Sequence, residues 1–312
     1  MKMNDRTPLY LGFDIGGSSV KWGYGNCQQG VLRFESTAIT SKDLPCLMSV
    51  FSQILFRVDS DIGLSSIRGI GIGTPGTIDR LSGKIHGTNP NLPFWTDLCP
   101  AMLIPSETAI PVVYDNDANL MALGEATLRE GISDLIGITV GSGIGSGFVW
   151  GGRLFHGAHG YGMEFGHVTV VRDGEVCNCG RPGCLEAYAS VDGIKRRASR
   201  LKEYPEAGSW DLRDLLKLAQ QDERLRELIQ EGEHYLALAL TDLTVLLDPQ
   251  LIVLGGGGID GKLYSPQKIE DLIRARLPRV NQPFIRVETA KAGNQAGVLG
   301  AIAYAASELS GT

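Results

Sequence analysis

Much that would mark an exported, membrane-bound or nucleic-acid-binding protein is missing from these 312 residues. Basic runs are short, such as Lys195-Arg196-Arg197, and the formal net charge of −6 is spread along the chain, so nucleic acid is not an expected partner. No apolar run approaches transmembrane length, and the first, Leu9 to Ile15, is interrupted by Gly12 and Asp14; no membrane association is expected. Met1 to Pro8 is polar and unlike a secretory signal. There are six cysteines, three of them crowded between Cys177 and Cys184, and without an export signal this favours a reducing cytoplasm over a disulfide framework. No Walker loop and no low-complexity linker occurs.

What is present is length enough for two domains with cores of their own, and 41 glycines, which imply many close backbone approaches. Leu9 to Ile15 and Val20 to Gly25 read as strands joined by the turn at 16–19, and Val31 to Thr37 adds a third. Leu44 to Val58 is helical in character, while Ile67 to Ile72 and Pro111 to Tyr114 are short buried strands. A second α/β lobe begins near Asn119, where Leu135 to Val140 and Gly147 to Trp150 repeat the pattern of two strands around a glycine-rich turn. The expected division is 1–118, joined by a C-terminal helix at 296–312, and 119–295, with a strand at 250–254 and another at 284–290.

Four constellations carry chemistry. Asp14 at a strand end is followed by Gly16, Gly17, Ser18 and Ser19; amides and hydroxyls there suit phosphate, and the carboxylate suits hydrated Mg²⁺, although a plain hairpin turn reads equally well. The run 141–147, with Gly141, Gly143 and Gly145 and with Thr139 just before it, is a second open turn in the matching place. The pair makes phosphate binding better supported than two coincidental hairpins. Gly71 to Gly76 satisfies G-x-G-x-x-G, but Pro75 and the turn residues after it argue against a dinucleotide-binding helix and for a loop touching substrate. Asp115 to Asn119 offers two carboxylates and two amides at a predicted strand end, where helix capping needs only one such residue; Asp117 is the candidate to take a hydroxyl proton. Finally, His167, Cys177, Cys179 and Cys184 supply the ligands of a closed, structural Cys₃His zinc site, with a redox thiol cluster as the alternative. His86, His156, His159 and His234 have no comparable neighbours along the sequence.

At these residues the chain resembles the ROK family: the Asp14 loop, Gly73-Thr74-Pro75-Gly76, Asn116-Asp117, the 141–147 turn, Glu164-x-Gly-His167 and Cys177-x-Cys-Gly-x-x-Gly-Cys184-x-Glu186. The resemblance implies an α/β, two-lobed actin-like ATPase (ribonuclease H-like) fold with a cleft between lobes. It implies an ATP-dependent hexose kinase acting on the 6-OH of glucose, a related hexose or an N-acetylhexosamine, with ATP and Mg²⁺ and a structural Zn²⁺ as cofactors. By the same carry-over the phosphates lie at 14–19 and 141–147 and adenosine near Gly256 and Gly257. Gly76, Asn91, Asn116, Asp117, Glu164, His167 and Glu186 would contact the sugar, and the chain would form a homodimer. The rival reading is a sugar-sensing regulator of the same family, which needs a helix-turn-helix that thirteen residues ahead of Asp14 do not hold.

Overall fold

The structure, a computed structural model, describes residues 7–87 and 92–309. Three antiparallel strands, β1 (Leu9–Ile15), β2 (Ser19–Asn26) and β3 (Gly30–Ala38), lead into helix α1 (Leu44–Ile62). Asp43 caps α1 by accepting the Cys46 N–H, and Gly63 closes it at a φ of 76°, the residue types each end favours. Strand β4 (Ile67–Thr74), the small hairpin β5 (Thr77–Ile78) with β6 (Ile85–His86), strand β7 (Val112–Asn116) and helix α2 (Asp117–Thr127) follow. Further along come β8 (Leu135–Val140), β9 (Ile144–Trp150) and β10 (Arg153–Leu154). Helices α3 (Glu186–Ala189), α4 (Val191–Ala198), α5 (Leu212–Ala219) and α6 (Glu223–Leu247) precede β11 (Leu251–Gly255). The chain ends through α7 (Gly257–Asp260), α8 (Pro266–Arg276), β12 (Val287–Thr289) and α9 (Ala296–Leu309).

Two five-stranded sheets result, ordered β3-β2-β1-β4-β7 and β10-β9-β8-β11-β12. In the first, β1 and β2 are antiparallel while β1, β4 and β7 run parallel; in the second, β8 and β9 are antiparallel while β8, β11 and β12 run parallel. The strand order is therefore repeated, with the two glycine turns at equivalent places, β1–β2 and β8–β9. This is the mixed α/β, actin-like arrangement expected. The strand expected at 284–290 is only Val287–Thr289, with Phe284 exposed before it.

The chain divides into two compact units. One runs through Glu130 and also takes Leu154–Gly162 and the residues from Asn294; the other comprises Gly131–Arg153 and Met163–Gly293. The first boundary falls twelve residues beyond the expected one at 118 because α2 packs along α9, both of the first unit. In the second unit α6 buries Leu236 and Leu240 with Ile136, Ile138, Ile252 and Leu254 of the sheet.

Alternation along β1 separates the two faces of the first sheet. Leu11, Phe13 and Ile15 pack with Leu47, Phe51 and Ile54 of α1, and the Phe13 and Phe51 rings stack at 4.5 Å. Tyr10 joins Val298 and Ile302 of α9 on the opposite face. Bare backbone lets α9 come this close: a Cβ on Gly12 would lie 2.5 Å from the Val298 carbonyl, and one on Gly71 would strike the Ala301 backbone. Gly69 and Gly73 share the face of Gly71, meeting Leu309 and Leu120 respectively. The G-x-G beginning at Gly71 is thus a strand under a helix, and only Pro75 and Gly76 form the turn.

A methyl at Gly300 would land on the Leu120 backbone, which cannot rotate aside. Gly300→Ala is expected to cost roughly 2–4 kcal/mol despite alanine's better helix propensity. Urea and thermal unfolding measure this, and a variant as stable as the parent would remove the close-approach argument.

Candidate active site

In the first unit Asp14, one residue from the end of β1, faces Lys21 across the antiparallel ladder, with Nζ 3.6 Å from Oδ2. Its carboxyl abuts the head of α9, where a Cβ at Gly297 would sit 2.7 Å from Cγ. Burial raises the Asp14 pKa and Lys21 pulls it back only in part. The turn that follows is closed by the Gly16 N–H donating to the Ser19 carbonyl at 2.9 Å, and leaves Ser18 exposed and Gly17 and Ser19 half-buried.

Asn116 and Asp117 sit where β7 ends and α2 begins. Asn116 is the N-cap: its Oδ1 accepts the N–H groups of Ala118 at 2.9 Å and Asn119 at 3.3 Å. Its Nδ2 donates to the Gly76 carbonyl at 3.2 Å, so the strand end and the Pro75-Gly76 turn are joined through one side chain. Gly76 has a φ of 100°, and a Cβ there would meet Ile85 at 2.7 Å. Asp117 is the first helical residue, half-buried, with Oδ1 accepting the Ala118 N–H at 2.9 Å. Burial first, and the Asp14 carboxylate second, push its pKa up to about 7 against the opposing pull of the Ala118 N–H and Lys21. Capping therefore employs Asn116 and leaves Asp117 as the unusual group. Asn91 lies outside the described residues.

The pairing of Asp115 with Arg80 and His156 was not singled out from the sequence. Asp115, buried at the end of β7, accepts from Arg80, from His156 Nε2 at 2.7 Å and from Asn119 Nδ2 at 2.9 Å. His156 thus has the company that its sequence neighbours did not supply. The missing signal is a pairing 41 positions away, which no local pattern contains.

In the second unit the expected 141–147 loop is much shorter. Strand β9 starts at Ile144, so the turn is Gly141 to Gly143, and Gly145 is a strand residue whose N–H donates to Thr139 Oγ1 at 3.2 Å. The turn is closed by Gly141 N–H to the Gly143 carbonyl at 2.9 Å, and the Gly141 carbonyl accepts the Val191 N–H at the head of α4. Glu186 lies against it: Oε2 accepts the Ile144 N–H at 2.9 Å, and a Cβ on Gly143 would come 2.5 Å from the same oxygen. Because β8 and β11 are parallel neighbours, the Gly255–Gly258 run lies beside this turn. Gly256, at a φ of 87°, would place a Cβ 2.6 Å from the Val140 carbonyl. A Cβ on Gly141 or Gly257 would meet nothing within 4 Å, so packing requires glycine at neither, and both backbones are open to approach.

His167, Cys177, Cys179 and Cys184 come together, with their ligand atoms all within 4.8 Å of one another. His167 Nδ1 lies 3.6 Å from Cys177 Sγ, and the Cys179 and Cys184 sulfurs are 3.7 Å apart. Ligands about 2.3 Å from a tetrahedral ion would stand roughly 3.8 Å apart, so this donor set fits a zinc ion with small adjustment. Glycines at positive φ, Gly180 and Gly183, turn the chain between the thiols. Burial pushes the Cys177 thiol up to about 12 and raises Cys184 as well. Burial opposes the Cys179 thiolate too, but the Arg181 N–H and the neighbouring thiols outweigh it and lower its pKa. Glu164 is exposed and opens the Phe165–His167 turn, which closes through the His167 N–H to the Glu164 carbonyl at 3.0 Å. Beneath it Gly166 packs on the Ile144 backbone.

Known proteins of similar sequence and structure share this fold. The ROK family model matches residues 10–308. A glucokinase from Halalkalibacterium halodurans is 32% identical over 321 residues, covering 96% of this chain and 94% of the relative. A ROK hexokinase from Thermus thermophilus superposes with a TM-score of 0.82 at 29% identity, covering 97% of this chain and all of the other. A ROK family glucokinase from Streptomyces griseus, solved in complex with glucose and AMPPNP, gives 0.75 at 28% identity over 96% of this chain and 99% of its own.

The crowding of Asp14 and Asp117 has a consequence for stability. A carboxyl whose pKa is raised by folding binds its proton more tightly in the folded than in the unfolded chain, so ionising it costs stability as pH rises from about 4 toward 7. Asp117→Asn removes that cost and is expected to stabilise the protein by about 1–3 kcal/mol above pH 7, solvent reaching part of the carboxyl. The gain should shrink as pH falls below 7 and vanish near 4. Unfolding curves at pH 8 and pH 5 test this; an equal effect at both would show that Asp117 is not raised.

Proposed function

The chain belongs to the ROK family, and on that premise we propose that it is an ATP-dependent hexose kinase, moving the γ-phosphate of ATP to the 6-OH of glucose, a related hexose or an N-acetylhexosamine. The observation that carries the reading is Asp117: a carboxyl at the head of α2, with a pKa pushed up to about 7, where a base that takes a hydroxyl proton works best. Glucose and AMPPNP in the Streptomyces griseus relative support the substrate pair for that protein, and this chain carries the residue types both require.

The roles are assigned by resemblance to the family, and the geometry around Asp117, Asn116 and the two glycine turns supports them in part. Ionised Asp117 accepts the hydroxyl proton as that oxygen attacks phosphorus. Asn116, held by its own cap bonds, keeps the Gly76 turn in place at the sugar. Glu164, His167 and Glu186 hydrogen-bond further hydroxyls, and Asn91 is assigned the same task. The amides of Gly16 to Ser19 and of Gly141 to Gly143, with Thr139, receive phosphate oxygens, and the adenosine lies near Gly256 and Gly257. Asp14 would hold hydrated Mg²⁺, which neutralises phosphate charge as the transfer proceeds.

His167 Nδ1 and the three thiolates would hold one structural Zn²⁺, which fixes the polypeptide that carries Glu164 and Glu186 and leaves His167 Nε2 for a sugar hydroxyl. No helix among the described residues is long and apolar enough to cross a membrane. A cytoplasmic homodimer completes the proposal.

Asp117→Asn keeps the shape and removes the basicity, so kcat should fall by roughly 10² to 10⁴ while glucose affinity, read by calorimetry, weakens only modestly. Single-turnover phosphorylation near the wild-type rate would remove Asp117 as the base and favour the sugar-sensing reading. For the metal, Cys179→Ser should lose zinc and sugar affinity together. Purified protein with no zinc and three freely titrating thiols would sink the zinc assignment.

A further inference from the structure

Thr74 ends β4 in register with Asn116 of β7, and it is fully buried. A hydroxyl in such a place needs partners, and two are present. The Trp95 indole N–H donates to Thr74 Oγ1 at 2.6 Å, and the same hydroxyl donates to the Pro75 carbonyl at 3.2 Å. One hydroxyl, acceptor and donor at once, thus ties the indole to the turn that follows β4.

Trp95 is itself firmly seated. It is buried in the apolar core that holds Ile72, Ile78 and Ile85, and its backbone N–H donates to the Leu92 carbonyl at 3.0 Å. Asn116 Nδ2 meets the Gly76 carbonyl, so the two successive carbonyls of the Pro75-Gly76 turn are each held by a side chain of the first unit. The peptide between them is trans, and in a trans peptide the N–H points opposite to the C=O. With the Pro75 carbonyl drawn to Thr74, the Gly76 N–H is turned away from Thr74. Among the described residues no acceptor takes it, although Gly76 is half-buried.

We propose that Trp95, acting through Thr74, is a positioning residue for sugar binding: it orients the Pro75-Gly76 peptide so that the Gly76 N–H donates to one hydroxyl oxygen of the hexose. The sugar contact rests on the kinase reading above. The link from Trp95 through Thr74 to Pro75 stands without it, and every residue in it belongs to the first unit. Losing the Thr74 hydroxyl would leave the Pro75 carbonyl without its donor and free the peptide to turn, while Asn116 and Asp117 keep their own hydrogen bonds.

The test compares Thr74→Val, which keeps the shape and removes the hydroxyl, with Thr74→Ser, which keeps the hydroxyl. Trp95→Phe removes the indole donor and carries the same test if the valine variant does not fold. In calorimetry the Val and Phe variants should weaken glucose binding about tenfold and the Ser variant by less than about twofold, with the KM for ATP unchanged in all three. A panel of monodeoxyglucoses separates positioning from general damage. For the sugar that lacks the hydroxyl held by Gly76, wild type and Thr74→Val should bind equally. A loss of the same size for every sugar, or no loss for glucose, would overturn the proposal. In ligand-free protein, hydrogen exchange of the Trp95 indole N–H should speed up about tenfold or more in Thr74→Val and stay slow in Thr74→Ser; an unchanged rate in the Val variant would remove the link. Wild-type protein that binds no hexose would defeat the kinase reading and the sugar contact with it, and the exchange result would still decide the link.

Discussion

Helix α9 can lie on the first sheet only because glycines keep its path clear, and most of the first unit's chemistry is placed by that contact. Val298 comes down on Gly12, Ala301 on Gly71, and Gly300 on the backbone of Leu120. The same descent sets Gly297 against the Asp14 carboxyl and brings the Tyr304 hydroxyl to Arg80. Because α2 packs on α9 through Gly124 and Gly300, the register of α9 also fixes the helix whose first residue is Asp117. Backbone-to-backbone approach of this kind tolerates no added methylene, so sheet, helix pair and site residues share one constraint.

The electrostatics follow from where that packing ends. The Asp14 carboxylate disfavours charge on Asp117, and Lys21, 3.6 Å from Asp14, offsets this only in part together with the Ala118 N–H. Like charges held together in a poorly hydrated place cost folding free energy, which is the usual relation between a stable fold and a working site. A divalent cation held at Asp14, as proposed above, would relieve the repulsion. Asp115, two positions before Asp117, shows the opposite treatment. It is buried, yet His156, Arg80 and Asn119 hold its pKa low.

Local features were readable from the sequence, and long-range ones were not. The strand-turn-strand repeats at 9–26 and 135–150 follow from short, largely buried apolar runs around glycine turns, and the recurrence suggested a duplicated architecture, which the repeated strand order of the two sheets has. The Cys₃His set was legible because its ligands lie within eighteen positions. The glycine turn was drawn too long, since glycine alone does not show that Gly145 and Gly147 already pair with Thr139 and Gly137 across the ladder. The first boundary fell too early because the packing of α2 on α9 depends on contacts nearly 180 residues apart along the chain. For the same reason His156 passed for an ordinary histidine. Its partner is buried at the end of a strand elsewhere, and nothing near it in sequence betrays that.

Glu186 joins two features that the sequence presented as separate. It stands two residues after Cys184, so the thiol cluster fixes where α3 begins. From there Oε1 accepts the Cys177 thiol at 3.7 Å and Oε2 the Ile144 N–H at 2.9 Å. One carboxylate therefore links the candidate metal-ligand set to the turn, and a Cβ on Gly143 would come 2.5 Å from it, so the carboxylate would have to give way. The sugar role proposed for Glu186 is compatible with this one, because a zinc-bound Cys177 thiolate would donate nothing and the Ile144 N–H takes only about one of the carboxylate's four acceptor sites. A hydroxyl bound there, as proposed, would share its acceptor with the backbone of the turn.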